Sequence, residues 1–432
     1  MNNFTVERNI STGEEVYKTV LNNGLRVYIA KRDGYAKKMG ILGTVFGSID
    51  NKFVDIETGK KTGVPDGIAH FLEHKLFEQE DSNALDVFSK MGADTNAYTS
   101  FDQTVYYFET VYDFEKCLDK LIDFVSTPYF TVDNVEKEKG IIEQEIKMYE
   151  DEPNALVYYN LLKAMYKNNP INVDIAGTIE SIRKIDKDVL YKCYNNFYNP
   201  KNMFLVILGD LDINKTIDEI TEKISLVYSN KRSSLVVRIS EEEPSDIVEK
   251  KVEKRLSISV PVVCIGIKTG AKTGKENKKN TILCEIINDM YFSNISSFYK
   301  KLYEEGIIYE EPELSYECGR DFSHIVISAY VVDAVEYISG IKQYINELKE
   351  MDIDEELFNI IINKKKGENI IKSEKMEKQY RNIIDSIILN IDVFEGTKIL
   401  NQLGYKDIKD FITCNFREEY MSISEVLPIK PE

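Results

Sequence analysis

Several features are scarce or missing in this 432-residue chain, and each absence removes a class of function. Positive charge is in deficit: 55 Lys and Arg against 73 Asp and Glu leave a formal net charge of −18. No overall basic field is therefore available for nucleic-acid phosphates, nor a polybasic anchor for an anionic membrane. The acidity reads as a soluble surface. Paired cysteines are missing too. The six that occur (Cys117, Cys193, Cys264, Cys284, Cys318 and Cys414) are scattered with no C-x-x-C, as expected of reduced, buried thiols and not of a disulfide framework or a zinc ribbon. The opening MNNFTVERNI lacks a charged segment followed by an apolar core, so no signal peptide is expected. No apolar run approaches the roughly 18 residues a membrane span needs. These absences predict a soluble, cytoplasmic chain without nucleic-acid or membrane partners. Histidine is the last scarcity, with only three in the chain.

What is present is ample for packed domains: hydrophobic residues make up 43% of the chain and aromatics 11%. The length exceeds one ordinary core, and two to three domains are expected. Apolar runs at 25–30 (after an Asn-Gly turn), 38–46 and 203–208 read as strands, and 95–110 alternates like a strand pair. Helical periodicity covers 113–126 and 132–149, with a shorter helix near 83–91. The second half repeats this order. A strand at 323–332 leads into a helix at 334–350, an Asp-rich turn, and a helix from 354 carrying KKKG, as the earlier helix carries KEKG. That echo reads as an internal duplication of two αβ units with mainly antiparallel sheets. The polar stretch 229–250 reads as the linker, which divides the chain into domains 1–228 and 251–432.

Two of the three histidines stand four residues apart around a glutamate, His70-Phe71-Leu72-Glu73-His74. On a helix that spacing places both imidazoles on one face. The order H-x-x-E-H is the inverzincin signature; two neutral imidazoles hold zinc, a third ligand comes from elsewhere, and the carboxylate serves as base. The third histidine, His324, lies in an apolar strand pattern and reads as a packed side chain.

The third ligand is sought on the helix 132–149. Positions 138, 142, 145 and 149 form one stripe: Glu138, Ile142, Glu145 and Tyr149. A carboxylate turned inward needs a compensating cation or metal, which favours Glu145 or Glu138 over Glu143, whose face is polar. The stripe alone leaves those two open.

The context GIAHFLEHKLFE, together with NAYTSFDQTVYYFET and EKEKGIIEQEIKMYEDEP, resembles the pitrilysin–insulinase–mitochondrial processing peptidase family. The likeness is specific from about residue 63 to 153 and continues as general layout through the rest. It implies an α+β fold of two homologous domains, each a mainly antiparallel sheet packed with helices, together forming half of a clamshell. It also implies one zinc ion per chain held by His70, His74 and Glu145, with Glu73 as general base and Glu138 supporting the site. A peptide substrate would lie along the strand containing Asn96, Ala97 and Tyr98. In the second half, SSFYKKLYEEGIIYE resembles the segment in which the family sets an arginine and a tyrosine over the site. Tyr309 matches the tyrosine, and Tyr303 stands where the arginine is expected. That half is read as degenerate, without a metal site. The implied activity is a zinc-dependent endopeptidase cutting peptides or unfolded segments inside a closed chamber, as a homodimer or with a paralogue. The competing expectation is a noncatalytic partner subunit of a heterodimeric peptidase.

Overall fold

The computed structural model describes residues 4–228 and 234–429. Its strands in the first half are β1 (Thr5–Arg8), β2 (Glu15–Val20), β3 (Arg26–Lys31), β4 (Lys38–Thr44), β5 (Lys52–Val54), β6 (Lys61–Gly63), β7 (Asp94–Thr99), β8 (Thr104–Thr110) and β9 (Met203–Gly209). They continue as β10 (Val237–Arg238), β11 (Lys251–Leu256), β12 (Val262–Lys268), β13 (Glu313–Cys318), β14 (Ser323–Tyr330) and β15 (Met421–Pro428). Two large sheets result, seven strands in the order β1-β2-β3-β9-β4-β8-β7 and five in the order β11-β15-β12-β14-β13.

The second sheet repeats five strands of the first, direction included. β3 runs parallel to β9, and β11 parallel to β15. Every remaining pair in the two series is antiparallel: β9–β4, β4–β8 and β8–β7 in one, β15–β12, β12–β14 and β14–β13 in the other. The fold is α+β and internally duplicated, as the KEKG and KKKG helices suggested.

Strand alternation splits each sheet between two cores. In β9, Met203, Leu205 and Ile207 face the helices Ile68–Phe77, Phe114–Ser126 and Lys187–Phe197. The intervening Phe204, Val206 and Leu208 face Tyr380, Ile383, Ile384 and Ile387 of helix Met376–Leu389. In β12, Val263, Ile265 and Ile267 face helices of the second half, while Val262 and Cys264 pack with Val157, Leu161 and Met165 of helix Pro153–Met165. The two halves therefore exchange helices: one from each covers the outer face of the other's sheet. Gly266 permits the close approach, because a Cβ there would sit 2.5 Å from Met165 Sδ.

Ion pairs add to this joint. Arg320, in the β13–β14 loop, places Nη2 2.8 Å from Asp50 and Nε 2.7 Å from Asp102, and Arg238 Nε lies 2.6 Å from the other oxygen of Asp50. Burial alone would lower the Arg320 pKa, but the two carboxylates more than reverse that and hold it raised. Of the expected linker 229–250, residues 229–233 lie outside the described residues. The remainder is pinned: Val237 and Arg238 pair with β5. Glu243 accepts from the backbone N–H of Lys167, Asn168 and Asn169 and from Lys268 Nζ at 2.5–3.0 Å. Among the described residues no helix is long and apolar enough to cross a membrane.

Candidate metal centre

The helix Ile68–Phe77 starts from Gly67 at φ 86°, a conformation that L side chains resist. A Cβ at Gly67 would lie 2.4 Å from the Ala176 carbonyl oxygen, so glycine lets the helix start abut that backbone. Phe71, Leu72 and Leu76 turn into the core, which leaves His70, Glu73 and His74 on the opposite stripe. The helix Val132–Glu150 is started by a reciprocal Thr131–Asn134 cap. Its Val135, Ile142 and Ile146 are buried against the first core, and this sets Glu138 and Glu145 against the histidine helix.

His70 Nε2 and His74 Nε2 each lie 3.6 Å from an oxygen of Glu145. That is too long for a hydrogen bond, but it suits ligands sharing one ion. With zinc bonds of about 2.0–2.2 Å, tetrahedral ligand atoms sit roughly 3.3–3.6 Å apart. His70, His74 and Glu145 form a group of ligand atoms all within 4.8 Å of one another. His74 Nδ1 is 3.1 Å from Glu138 Oε1; when Nδ1–H donates there, Nε2 keeps its lone pair for a metal. Glu138 is itself approached at 3.7 Å by Nζ of the fully buried Lys75, which also pairs with Glu78. Glu143 turns away to Arg183, 2.7 Å distant, while Glu145 lies by both imidazoles and Glu138 by His74.

The electrostatics fit a divalent cation. Burial, then the neighbouring His74, pushes His70 down to about 3, which keeps its imidazole in the neutral, ligating form. Burial would lower His74 as well, but the Glu138 hydrogen bond and the charges of Glu73, Glu138 and Glu145 raise it. Burial would raise Glu138, but His74 and then Lys75 hold it below its ordinary value. Burial raises Glu73 against the hydrogen bond it accepts at 2.7 Å from the Thr99 hydroxyl. The donor set of two imidazoles and a carboxylate, ringed by further anionic oxygens, is one that zinc accepts.

A family model described as insulinase (peptidase family M16) matches residues 53–179, and a second, described as peptidase M16 inactive domain, matches 184–365. An uncharacterized zinc protease of Bacillus subtilis (strain 168), YmfH, is 34% identical over 418 residues, covering 96% of this chain and 97% of that protein. The chain belongs to the M16 peptidase family. A mitochondrial-processing peptidase subunit beta of Neurospora crassa is 27% identical over 241 residues, 55% of this chain and 48% of that one. The crystal structure of an M16-like peptidase from Alicyclobacillus acidocaldarius superposes with a TM-score of 0.90 at 30% identity, covering 96% of this chain and 99% of that one. Pitrilysin shares the fold, with a TM-score of 0.76 at 16% identity; all of this chain corresponds to 47% of that one.

Asn96, Ala97 and Tyr98, the segment expected to receive the substrate, lie in β7, which among the described residues is an edge of the seven-stranded sheet and pairs with β8 alone. Ala97, Tyr98 and Thr99 line a cleft of about 450 Å3 with His70, Glu73, His74 and Glu145. Asn96 lines the adjoining cleft with Glu73, His74 and Glu138. Tyr309 donates its backbone N–H to Tyr330, whose hydroxyl bonds Asn154 at the start of helix Pro153–Met165. Tyr303 is more than half exposed and stacks on Tyr299. Neither is among the residues lining the cleft of His70, His74 and Glu145.

Sequence reasoning missed Thr99 and Lys75. Thr99 directly follows the Asn-Ala-Tyr segment and directly precedes the hairpin turn, a usable signal. Lys75 directly follows His74, and its signal is that a lysine on an apolar helix face has to find an anion.

Proposed function

We propose that this M16 protein is a zinc-dependent endopeptidase acting on peptides or unfolded segments. The observation that carries this reading is the convergence of His70, His74 and Glu145, with Glu73 on the same cleft. One zinc ion bound by those three residues would supply Lewis acidity, polarising a peptide carbonyl and making a water easier to deprotonate. Glu138 orients His74 through Nδ1. Glu73, positioned by Thr99, takes a proton at its carboxylate and returns it to the departing amine. The outer edge of β7, which no strand covers among the described residues, offers backbone groups to an extended substrate, which would add as a further strand and displace the Asn96 side chain from the Ala97 N–H. A substrate held this way is selected for extended, unfolded backbone.

The correspondence of this whole chain to about half of pitrilysin supports pairing with a second copy or a paralogue to enclose a chamber. Measuring zinc content and cleavage of varied unstructured peptides by wild type and Glu73→Gln tests the reading. Zinc in both with cleavage in wild type alone is the expected outcome. Zinc in both with no cleavage by wild type would favour a partner-subunit role, a reading supported by the inactive-domain match over 184–365 and by Tyr303 at the arginine's place.

A further inference from the structure

The duplication is close enough to match individual positions of the metal centre with positions in the second half. The last residue of each edge strand pairs with the first of its neighbour, Thr99 with Thr104 and Cys318 with Ser323. Thr99 contacts Glu73, and Cys318 Sγ contacts Thr281 Oγ1 at 4.0 Å. Thr281 thus occupies the place of Glu73, which puts Lys278 at the place of His70 and Ile282 at that of His74. Aligning Gly140 of KEKG with Gly367 of KKKG puts Lys365 at the place of Glu138 and Lys372 at that of Glu145. The cleft itself confirms this register. Lys278, Ile282, Lys365 and Lys372 together line a cleft of about 380 Å3 between helices Gly274–Ile287, Glu355–Ser373 and Met376–Leu389.

The counterpart cleft inverts the charge at the matched positions. Where the first half has one imidazole and two carboxylates, the second has three lysines, and Lys378 and Arg381 join them from the third helix. The lining acids are fewer: Asp385 lies 4.0 Å from Lys278, Glu285 3.8 Å from Lys365, and Glu14 is on the rim. Lys365 and Lys372 also neighbour Glu368, at 3.7 and 3.5 Å, and Lys365 lies 3.2 Å from Asp289. The lining alone holds five cations against three acids in a chain whose net charge is −18, with Asp289, Glu368 and Glu377 pairing some of those cations from just outside it. The two clefts adjoin at Tyr98, which lines the metal-centre cleft: the Arg381 guanidinium, itself 3.2 Å from Glu377, lies 5.7 Å from the centroid of its ring, and the charge of Asp385 is also felt there.

We propose that this cleft is a subsite for acidic side chains of the peptide bound along β7, entered past Tyr98 and Arg381. The inference rests on the reading of β7 as the peptide-binding strand. Ammonium groups on flexible stems suit carboxylates arriving at varied positions along an extended chain.

The test is binding, so it does not depend on cleavage. Two labelled, amidated peptides differing only by Glu against Gln at one end are titrated by fluorescence anisotropy into wild type and into Lys372→Glu/Lys378→Glu. Both substituted lysines are exposed, and circular dichroism verifies the fold of the variant. At low salt wild type is expected to bind the Glu peptide about three- to tenfold more tightly, and the preference should vanish in the variant and at high salt. Equal binding of the two peptides by wild type, or a preference surviving in the variant, overturns the proposal. A charge preference without cleavage of either peptide sustains this subsite and sinks the peptidase reading. Cleavage of both peptides without charge preference does the reverse.

Discussion

Thr99 and Glu73 are joined by a 2.7 Å hydrogen bond, which ties the edge strand to the helix carrying both histidines. Thr99→Val keeps the strand-favouring shape and removes the donor. A hydrogen bond to a charged group contributes about 1.5–3 kcal/mol, so cleavage should fall at least about tenfold while zinc content is unchanged. Cleavage at the wild-type rate would show that Glu73 is positioned without Thr99.

Glu138→Gln tests the outer support of the centre. The amide can still meet His74 Nδ1 but carries no charge, and such outer partners typically contribute 10- to 100-fold in metal affinity. Competition with a chromogenic chelator should show zinc bound more weakly by about that factor, with an unchanged circular dichroism spectrum. Unchanged affinity would remove Glu138 from the site.

Arg320→Gln removes the cation that Asp102 and Asp50 share. Arg238 still faces Asp50, so the stranded charge is Asp102, which is 6% exposed. Breaking a buried pair from one side costs about 3–5 kcal/mol, and urea unfolding should show a loss near the lower figure. A loss below about 1 kcal/mol would mean that water or another group compensates Asp102.

His324 supplies a pH dependence independent of the metal. It is fully buried, with Nδ1 3.0 Å from the Tyr166 hydroxyl, and burial pushes its pKa down to about 3. Between that value and the ordinary one near 6.5, only the unfolded chain binds the proton, so stability falls as pH is lowered. From pH 6.5 to 5 this amounts to about 2 kcal/mol. Urea unfolding across that range should show a shallower loss for His324→Phe than for wild type; parallel curves would show that His324 is protonated in the folded chain.

The local parts of the centre were legible because helical spacing is a short-range rule. His70, Glu73 and His74 share a face by i, i+3 and i+4, and Glu138 with Glu145 by i+7, so the residues facing the cleft could be named before their partners were known. Thr99, Lys75 and Arg320 were not legible in this way, since each acts across a contact far apart in sequence: Thr99 on Glu73, Lys75 on Glu138, Arg320 on Asp50 and Asp102. The duplication was visible in KEKG and KKKG, but not the exchange of helices. The apolar stripe of Met376–Leu389 predicts that a face is buried without saying against which sheet.

That exchange has a consequence for how the protein is made. The sheet carrying the histidine helix is complete in sequence by the end of β9, yet its outer face is covered by Met376–Leu389. On a ribosome adding about 5–20 residues per second, the intervening stretch takes on the order of ten seconds or more. For that interval Phe204, Val206 and Leu208 have no helix of the native fold above them. The first half waits for that later helix, and whatever shields the apolar face meanwhile, a chaperone or a transient contact within the nascent chain, acts before the native fold exists.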